Sequence, residues 1–445
     1  MIERFGNRMT AWARRWIPDP FIFAVVLTVV AFGLALGATD STVWQALDGW
    51  GKGFWELLAF GMQMCLVLVT GHALASSGPV KRGIAWLAAL PRTGPGAAAL
   101  VALVAGVSGL LNWGLGLVVG ALLARETAVR GDARGLRLHY PLLAAAGYVG
   151  LLVWHGGLSG TVPLVIATPG HFLENAIGVI PVSRTLFSPL NVTVALGLLL
   201  AIPLVCAGLH PGEGIRTAAD FGVFGDEGHA PETLEERSPA RRIERSRAVS
   251  LGAGLLGLAY LARTIWVDGF HPNLNFVNLA FLSLGLLLHR SPATYLAAVA
   301  EGARACAGII LQFPFYGGIM GVMKYTGLMT AMAAAATQHV GPTLYPIVTF
   351  LSAGIVNLFV PSGGGQWAVQ GPIAVEAARL LHLSIPRTAM AVAFGDEWTN
   401  MLQPFWALAL LGITRLRAGD IMGYTLVFLL CSLPIYLLAL LAVPV

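Results

Sequence analysis

Apolar runs of about twenty residues recur along this chain from one end to the other, and that pattern admits few folds. A helical run of this length matches the hydrocarbon thickness of a bilayer. Within hydrocarbon every backbone N–H and C=O must be satisfied inside the protein, so spanning segments are helices or closed barrels. The runs do not alternate in polarity, which selects helices. Only 11% of the residues are Asp, Glu, Lys or Arg, while 56% are hydrophobic; a soluble domain carries roughly 25% charged residues. Mean hydropathy is +0.75. The expected fold class is an all-α polytopic membrane protein.

Membrane segments are expected at 18–38, 54–76, 97–123, 140–168, 186–209, 248–267, 274–288, 303–323, 343–380, 388–413 and 421–442. Lys and Arg in the loops set the orientation. Arg4, Arg8, Arg14 and Arg15 place the N-terminus in the cytoplasm, before a retained first helix. Lys81, Arg82 and Arg92 return the chain inside, and Arg125, Arg130, Arg134 and Arg137 flank the far end of segment 97–123. With both flanks basic, that segment reads as a re-entrant hairpin. The tip Ser108–Gly116, rich in glycine and carrying Asn112, agrees, because broken backbone at that depth needs protein or a water-filled cavity to satisfy it. Arg379 and Arg387 fall on the outer side, against the rule.

The two halves echo each other. Gln63 pairs with Gln312, Ser77-Gly78 with Thr326-Gly327, Gly94-Pro95 with Gly341-Pro342, Glu126 with Glu376 and Gly147 with Gly395. Subtraction gives separations of 247 to 250 residues throughout. This predicts a first membrane repeat over 1–209 with its cytoplasmic N-terminal segment, a cytoplasmic linker over 210–246, a connecting helix over 247–267 and a second repeat over 268–445. Each repeat has four crossings and one hairpin, giving about nine full crossings and two re-entrant hairpins. An odd number of crossings between equivalent points inverts the second copy, the architecture of many secondary transporters.

The second tip, Asn357 to Trp367, holds the sharpest motif. Gly363, Gly364 and Gly365 let backbone N–H groups approach a ligand closely, and the helix beginning near Gln366 presents its N-terminus to an anion. The matching break in the first half offers Asn112, Trp113 and Gly114. Two further breaks follow, Trp154–Thr161 and Gly395–Pro404. Polar residues inside membrane segments are expensive and default to functional candidates. Ser362, Gln366, Trp367, His155, Thr399 and Asn400 join the substrate-binding set on that ground. Asp396, Glu397 and Gln403 are candidates for the coupling ion, Na⁺ or H⁺. Trp113, Trp154, Trp367 and Trp398 are read as pocket lining, and Lys324 as snorkelling to an interface.

Other classes recede. A formal net charge of +5 comes from short loops with no basic stripe interleaved with aromatics, so no nucleic acid is expected. Cys65, Cys206, Cys306 and Cys431 lie apart in apolar runs, without metal-ligand spacing. Neither His-Glu-x-x-His nor Gly-x-Ser-x-Gly occurs, and no enzyme, metal or cofactor is expected.

The Arg-Trp-Ile-Pro-Asp-Pro-Phe at 15–21, Leu-Asn-Trp-Gly-Leu-Gly at 111–116 and Pro-Ser-Gly-Gly-Gly-Gln-Trp at 361–367 make the chain resemble the short-chain fatty acid transporter family, AtoE type, within the ion-transporter superfamily. The resemblance implies cation-coupled, alternating-access transport of acetoacetate- or butyrate-like monocarboxylates across a bacterial cytoplasmic membrane, with hairpin tips contributing to the site. It also allows a homodimer. In the wider superfamily Ser-Asn-Thr-like tips bind carboxylate and Na⁺. The tips here read differently, so Na⁺ and H⁺ both stand. A dicarboxylate or other small organic anion is the alternative cargo; an ion antiporter or a channel is the more distant reading.

Overall fold

The computed structural model describes residues 20–224, 238–338, 340–358 and 360–444. The N-terminal arginines, most of the motif at 15–21, linker positions 225–237 and Phe359 of the second tip lie outside the described residues. Within them every regular element is a helix.

The first half runs α1 (Pro20–Ala38), α2 (Val43–Phe54), α3 (Leu58–Ala75), α4 (Gly78–Ala88), α5 (Gly94–Leu111), α6 (Trp113–Ala133), α7 (Tyr140–Gly147), α8 (Thr161–Ile166) and α9 (Pro189–Gly208). α10 (Arg247–Asp268) stands between the halves. The second half follows with α11 (Leu274–Leu288), α12 (Pro292–Ala303), α13 (Ala307–Tyr325), α14 (Leu328–Thr337), α15 (Tyr345–Asn357), α16 (Gly363–Leu380), α17 (Ile385–Thr399), α18 (Pro404–Thr414) and α19 (Ala418–Ala442). Short helices also occur at Glu174–Ile177 and Pro239–Glu244; among the longer ones, several starts recur at a near-constant offset. The starts of α2 and α12, and of α3 and α13, are 249 residues apart by subtraction; those of α4 and α14, and of α6 and α16, are 250 apart.

Among the described residues six helical stretches are long and apolar enough to cross a bilayer: α3, α5, Tyr140–Ile166, α9, α10 and α19. α12 and α13 together make a seventh, bent by 50°. Local chemistry starts and stops these helices. Thr42 and Gln45 form a capping box on α2, Thr93 caps α5, Ser188 caps α9 and Ser384 caps α17, each supplying an acceptor to an otherwise orphaned N–H. Arg387 has a local use whichever side it faces. Its guanidinium donates to the carbonyls of Leu440 (3.3 Å) and Val443 (2.6 Å), so the charge is spent on the C-terminal end of α19.

Lipid tails offer helices no hydrophobic drive to associate, so close backbone approach through small residues carries the packing. α2 and α13 meet this way. A Cβ on Gly53 would stand 2.3 Å from the Gly317 carbonyl oxygen, and one on Gly321 2.2 Å from that of Gly49. α6 and α7 repeat the device, with a Cβ on Gly120 falling 2.0 Å from the Gly147 oxygen.

Beyond α9 the chain folds back over the ends of α6, α7 and α19. Tyr140 N–H donates to Arg216 O (2.8 Å), Ala219 N–H to Asp132 (3.1 Å), and Arg216 pairs with Asp420 (3.0 Å). His139 lies beneath. Its Nδ1 accepts from Arg216 N–H (3.2 Å), its Nε2 meets the Tyr424 hydroxyl (2.9 Å), and its own N–H donates to His210 Nε2 (3.2 Å). Burial, and after it the nearby His210 and Arg216, push the His139 imidazole down to about 4. Burial lowers His210 as well.

Candidate functional site

One residue joins α5 to α6. Asn112 is extended (φ −160°, ψ 132°), closing one helix and opening the next. Its N–H donates to Ser108 O (2.9 Å), its Oδ1 accepts from Leu115 N–H (2.9 Å), and its Nδ2 donates to Val67 O on α3 (3.1 Å). At the second tip Ser362 takes the same extended form (φ −158°, ψ 108°) and caps α16 through Gly365 N–H at 3.2 Å. A short polar side chain that turns back onto its own helix lets the chain reverse and satisfies one of the orphaned N–H donors of the first turn.

The tips and the breaks converge. Trp113 of the first tip, Ser362, Gly363 and Gly364 of the second, Trp154 and Thr161 of the first break, and Asn400 of the second all line one cavity, with Met64, Leu151, Ile309, Phe313 and Trp406. It holds about 410 Å³ of space, mouth included. Its walls are largely aromatic: Trp113 lies edge-on to Trp154 (6.3 Å between centroids) and Trp406 (5.3 Å). Its polar lining is the side chains of Thr161, Ser362 and Asn400 with the backbone of Gly363 and Gly364. The first N–H groups of a helix have no intrahelical partner, and among the described residues no acceptor meets Gly363 or Gly364 N–H. The indole N–H groups of Trp113 and Trp154 are buried without acceptors. Among the described residues no Lys, Arg, Asp or Glu lines the cavity.

A buried polar layer lies directly behind. A Cβ on Gly363 would stand 2.7 Å from His155 Cε1, and the His155 ring stacks on Trp154 at 4.1 Å. Val162 N–H donates to His155 Nε2 (3.2 Å), which leaves the ring proton on Nδ1, 3.3 Å from Asp396 Oδ1. Glu397 accepts from His155 N–H (2.8 Å) and meets the Tyr436 hydroxyl (3.1 Å). Asp396 and Glu397 are each 1% exposed, and among the described residues no Lys or Arg pairs with either. Asn357 ties the layer to the second tip, its Nδ2 meeting Asp396 O (2.7 Å), Asn400 Oδ1 (2.9 Å) and Thr399 Oγ1 (3.1 Å). Gln403 Nε2 donates to Asn357 O.

Of the residues expected to bind substrate, Trp113, Ser362, Gly363, Gly364 and Asn400 line the cavity. The others stand behind it. Asn112 is committed to its cap and its tie to α3. Gly114 packs beside Asn112, and Gly365 against Tyr316. Gln366 donates to Ala353 O (2.9 Å) and Gln370 Oε1 (2.9 Å). Trp367 is wholly buried. Thr399 donates to Gly354 O (3.0 Å), and Trp398 N–H is spent on Leu429 O (2.9 Å). His155, Asp396, Glu397 and Gln403 form the second layer. Sequence reading missed Tyr436, Trp406, Met64 and Phe313. Trp406 had a signal, two residues past Pro404 at the break. Tyr436 had none, as one of two tyrosines in a long apolar helix.

The chain matches the family model described as short chain fatty acid transporter over residues 1–443. A relative from Escherichia coli named for short-chain fatty acid transport is 42% identical over 441 residues, covering 99% of both chains. One from Haemophilus influenzae with the same name is 38% identical over 448 residues, again covering 99% of both. Two solved structures share the fold at low identity. The Alcanivorax borkumensis YdaH transporter, reported to have an unusual topology, is 16% identical, with a TM-score of 0.59 over 95% of this chain and 98% of its own. Neisseria gonorrhoeae MtrF, reported with a class of antimetabolite efflux pumps, is 17% identical, with a TM-score of 0.59 over 98% and 96%.

Proposed function

This chain belongs to the short-chain fatty acid transporter family, a family of multi-pass membrane transporters and not of enzymes, and on that premise we propose that it is a cation-coupled secondary transporter of short monocarboxylates such as butyrate or acetoacetate. The observation that carries this reading is the set of N–H donors without acceptors around the aromatic tip cavity. A small carboxylate supplies what Gly363, Gly364, Trp113 and Trp154 lack, and the N-terminus of α16 adds favourable potential. The indole walls suit a short alkyl tail. A second carboxylate would face indole carbon with no Lys or Arg beside it, which favours monocarboxylates over dicarboxylates.

Coupling falls to the layer behind. Two ionised carboxylates fully removed from water are unfavourable without compensating charge. His155 brings none, since its Nε2 accepts a hydrogen bond. A transported cation supplies the charge. The Tyr436 hydroxyl has one proton and stands 2.7 Å from Leu152 O as well as 3.1 Å from Glu397. The hydroxyl donates toward both, the shorter contact going to the carbonyl, so Glu397 receives only a share of one proton, and uptake of H⁺ onto this carboxylate would neutralise it. This supports H⁺ as the coupling ion.

The opposed hairpins fit inverted repeats meeting at a shared site, with α5–α6 and α15–α16 dipping into the membrane of a bacterial cell. The basic loops give a cytoplasmic N-terminus. On this topology Arg92→Cys and Arg125→Cys react with impermeant thiol reagents from the same side of the membrane; opposite sides would make α5–α6 an ordinary crossing.

Uptake of labelled butyrate into proteoliposomes, driven separately by a proton gradient and a Na⁺ gradient, tests the function. The expected result is saturable, proton-driven uptake with counterflow by butyrate and not succinate. Ser362→Ala should lower uptake at least about tenfold, as for loss of a hydrogen bond to a charged group. Failure of all small monocarboxylates to exchange removes the proposed cargo.

A further inference from the structure

A second cavity opens beside the first. It holds about 920 Å³ of space, mouth included, and Glu56, Gln63, Thr168, His171, Asn175 and Lys324 supply its polar lining. Lys324 Nζ lies 3.3 Å from both carboxylate oxygens of Glu56. The Tyr325 hydroxyl donates to the same carboxylate at 3.0 Å, and Nζ stands 5.0 Å over the Tyr325 ring. This lysine has a partner within the protein. It holds a carboxylate at the wall of an open cavity, with side chains 46% and 26% exposed for Lys324 and Glu56.

Two rings separate this vestibule from the tip cavity. Phe60 belongs to the vestibule wall and Phe313 to the tip cavity, and their centroids are 5.4 Å apart. Phe172 backs Phe60 at 5.8 Å. Both facing rings rest on the second tip: a Cβ on Gly364 would stand 2.8 Å from Phe60 Cζ and 3.0 Å from Phe313 Cζ. The glycine thus does more than expose an N–H. It leaves room for the partition.

We propose that the vestibule is a first binding site for the transported carboxylate, that Lys324 is its cationic anchor, and that the Phe60–Phe313 pair is the door to the tip cavity. The proposal rests on the carboxylate reading above. Glu56 is a resident stand-in for the ligand, since a butyrate carboxylate presents the same two oxygens to the same ammonium. Exchanging one carboxylate for the other moves no new charge out of water. A partly exposed ion pair is weak enough to be displaced. The butyrate tail then lies toward Phe60, next to the ring that must swing.

The test uses the full chain in proteoliposomes with its four native cysteines replaced, and reads local charge and occupancy rather than uptake. Ala59→Cys on the vestibule wall is labelled with methanethiosulfonates bearing a sulfonate or an ammonium group. Sodium butyrate should slow sulfonate labelling. In Lys324→Gln the sulfonate-to-ammonium rate ratio should fall, and the half-protecting butyrate concentration should rise about fivefold, the scale of a partly exposed charge pair. Lys324→Arg should restore both. Glu56→Gln keeps the lysine and removes its resident partner, so protection should need less butyrate. Unchanged ratio and protection in Lys324→Gln, or weaker protection in Glu56→Gln, overturns the anchor. Phe313→Ala should speed labelling of Thr161→Cys in the tip cavity; an unchanged rate overturns the door. Loss of butyrate uptake alone would count against the transport reading and leave the labelling result standing.

Discussion

Trp113 and Trp154 keep their indole N–H groups buried and without acceptors, a condition that costs roughly 1–3 kcal/mol per donor. Their chemistry separates a binding role from a packing role. Trp154→Phe keeps a ring against His155 but removes the N–H together with part of the indole that reaches Gly363. The expected outcome is a KM for butyrate raised about tenfold, with a lower thermal midpoint from the space left behind. A purely structural tryptophan would lower the midpoint and leave KM alone. Asn112→Ala should behave oppositely, losing folded protein first, since the amide caps α6 and ties the tip to α3. At this scale the sequence is partly legible. Glycine, asparagine and serine inside apolar runs mark the tips. They do not say which side chain turns inward to cap and which faces the ligand, because both uses call for the same residue types. His155 and Glu397 read as site residues from polarity in an apolar setting. Their partner Tyr436, far along the chain, has no local signal.

Among the elements, the α2–α13 seam is held by glycine on both faces. Gly321→Ala would drive a Cβ to 2.2 Å from the Gly49 carbonyl oxygen, and backbone cannot yield as a side-chain tip can. A loss of about 1–3 kcal/mol is expected, as for overpacking, read as a lower thermal midpoint in detergent. Gly33→Ala on α1, where a Cβ meets nothing within 4 Å, is the matched control and should cost nothing, since alanine favours helix. Helix type and the broken stretches were readable because apolar length, prolines at first turns and cap residues all point one way. The bend between α12 and α13, the early change from α7 to a 3₁₀ turn at Tyr148, and the fold of the segment after α9 over the helix ends were not. These depend on contacts between residues remote in sequence.

For the whole molecule, the cluster of His139, His210, Arg216, Asp420 and Tyr424 joins the segment after α9 to α7 and α19, and so links the two halves. Its stability has a defined pH sense. His139 titrates at about 4 when folded and near 6.5 when unfolded. The unfolded chain therefore binds the proton more readily. The stabilisation is complete above about pH 6.5 and is lost as the pH falls toward 4, by up to about 3 kcal/mol. His210 acts in the same direction. Thermal midpoints between pH 7 and 4 should show this fall, and His139→Gln should flatten it; an equal slope in the variant would assign it to other groups. The single-residue turn at Asn112 has a mechanical consequence at this scale. A link with no slack cannot bend without unwinding a helical turn, so α5 and α6 travel as one stiff piece. The second tip leaves more than one residue between the end of α15 at Asn357 and the start of α16 at Gly363. If a transport cycle reshapes the cavity, the load would accordingly fall on that jaw while its opposite holds still.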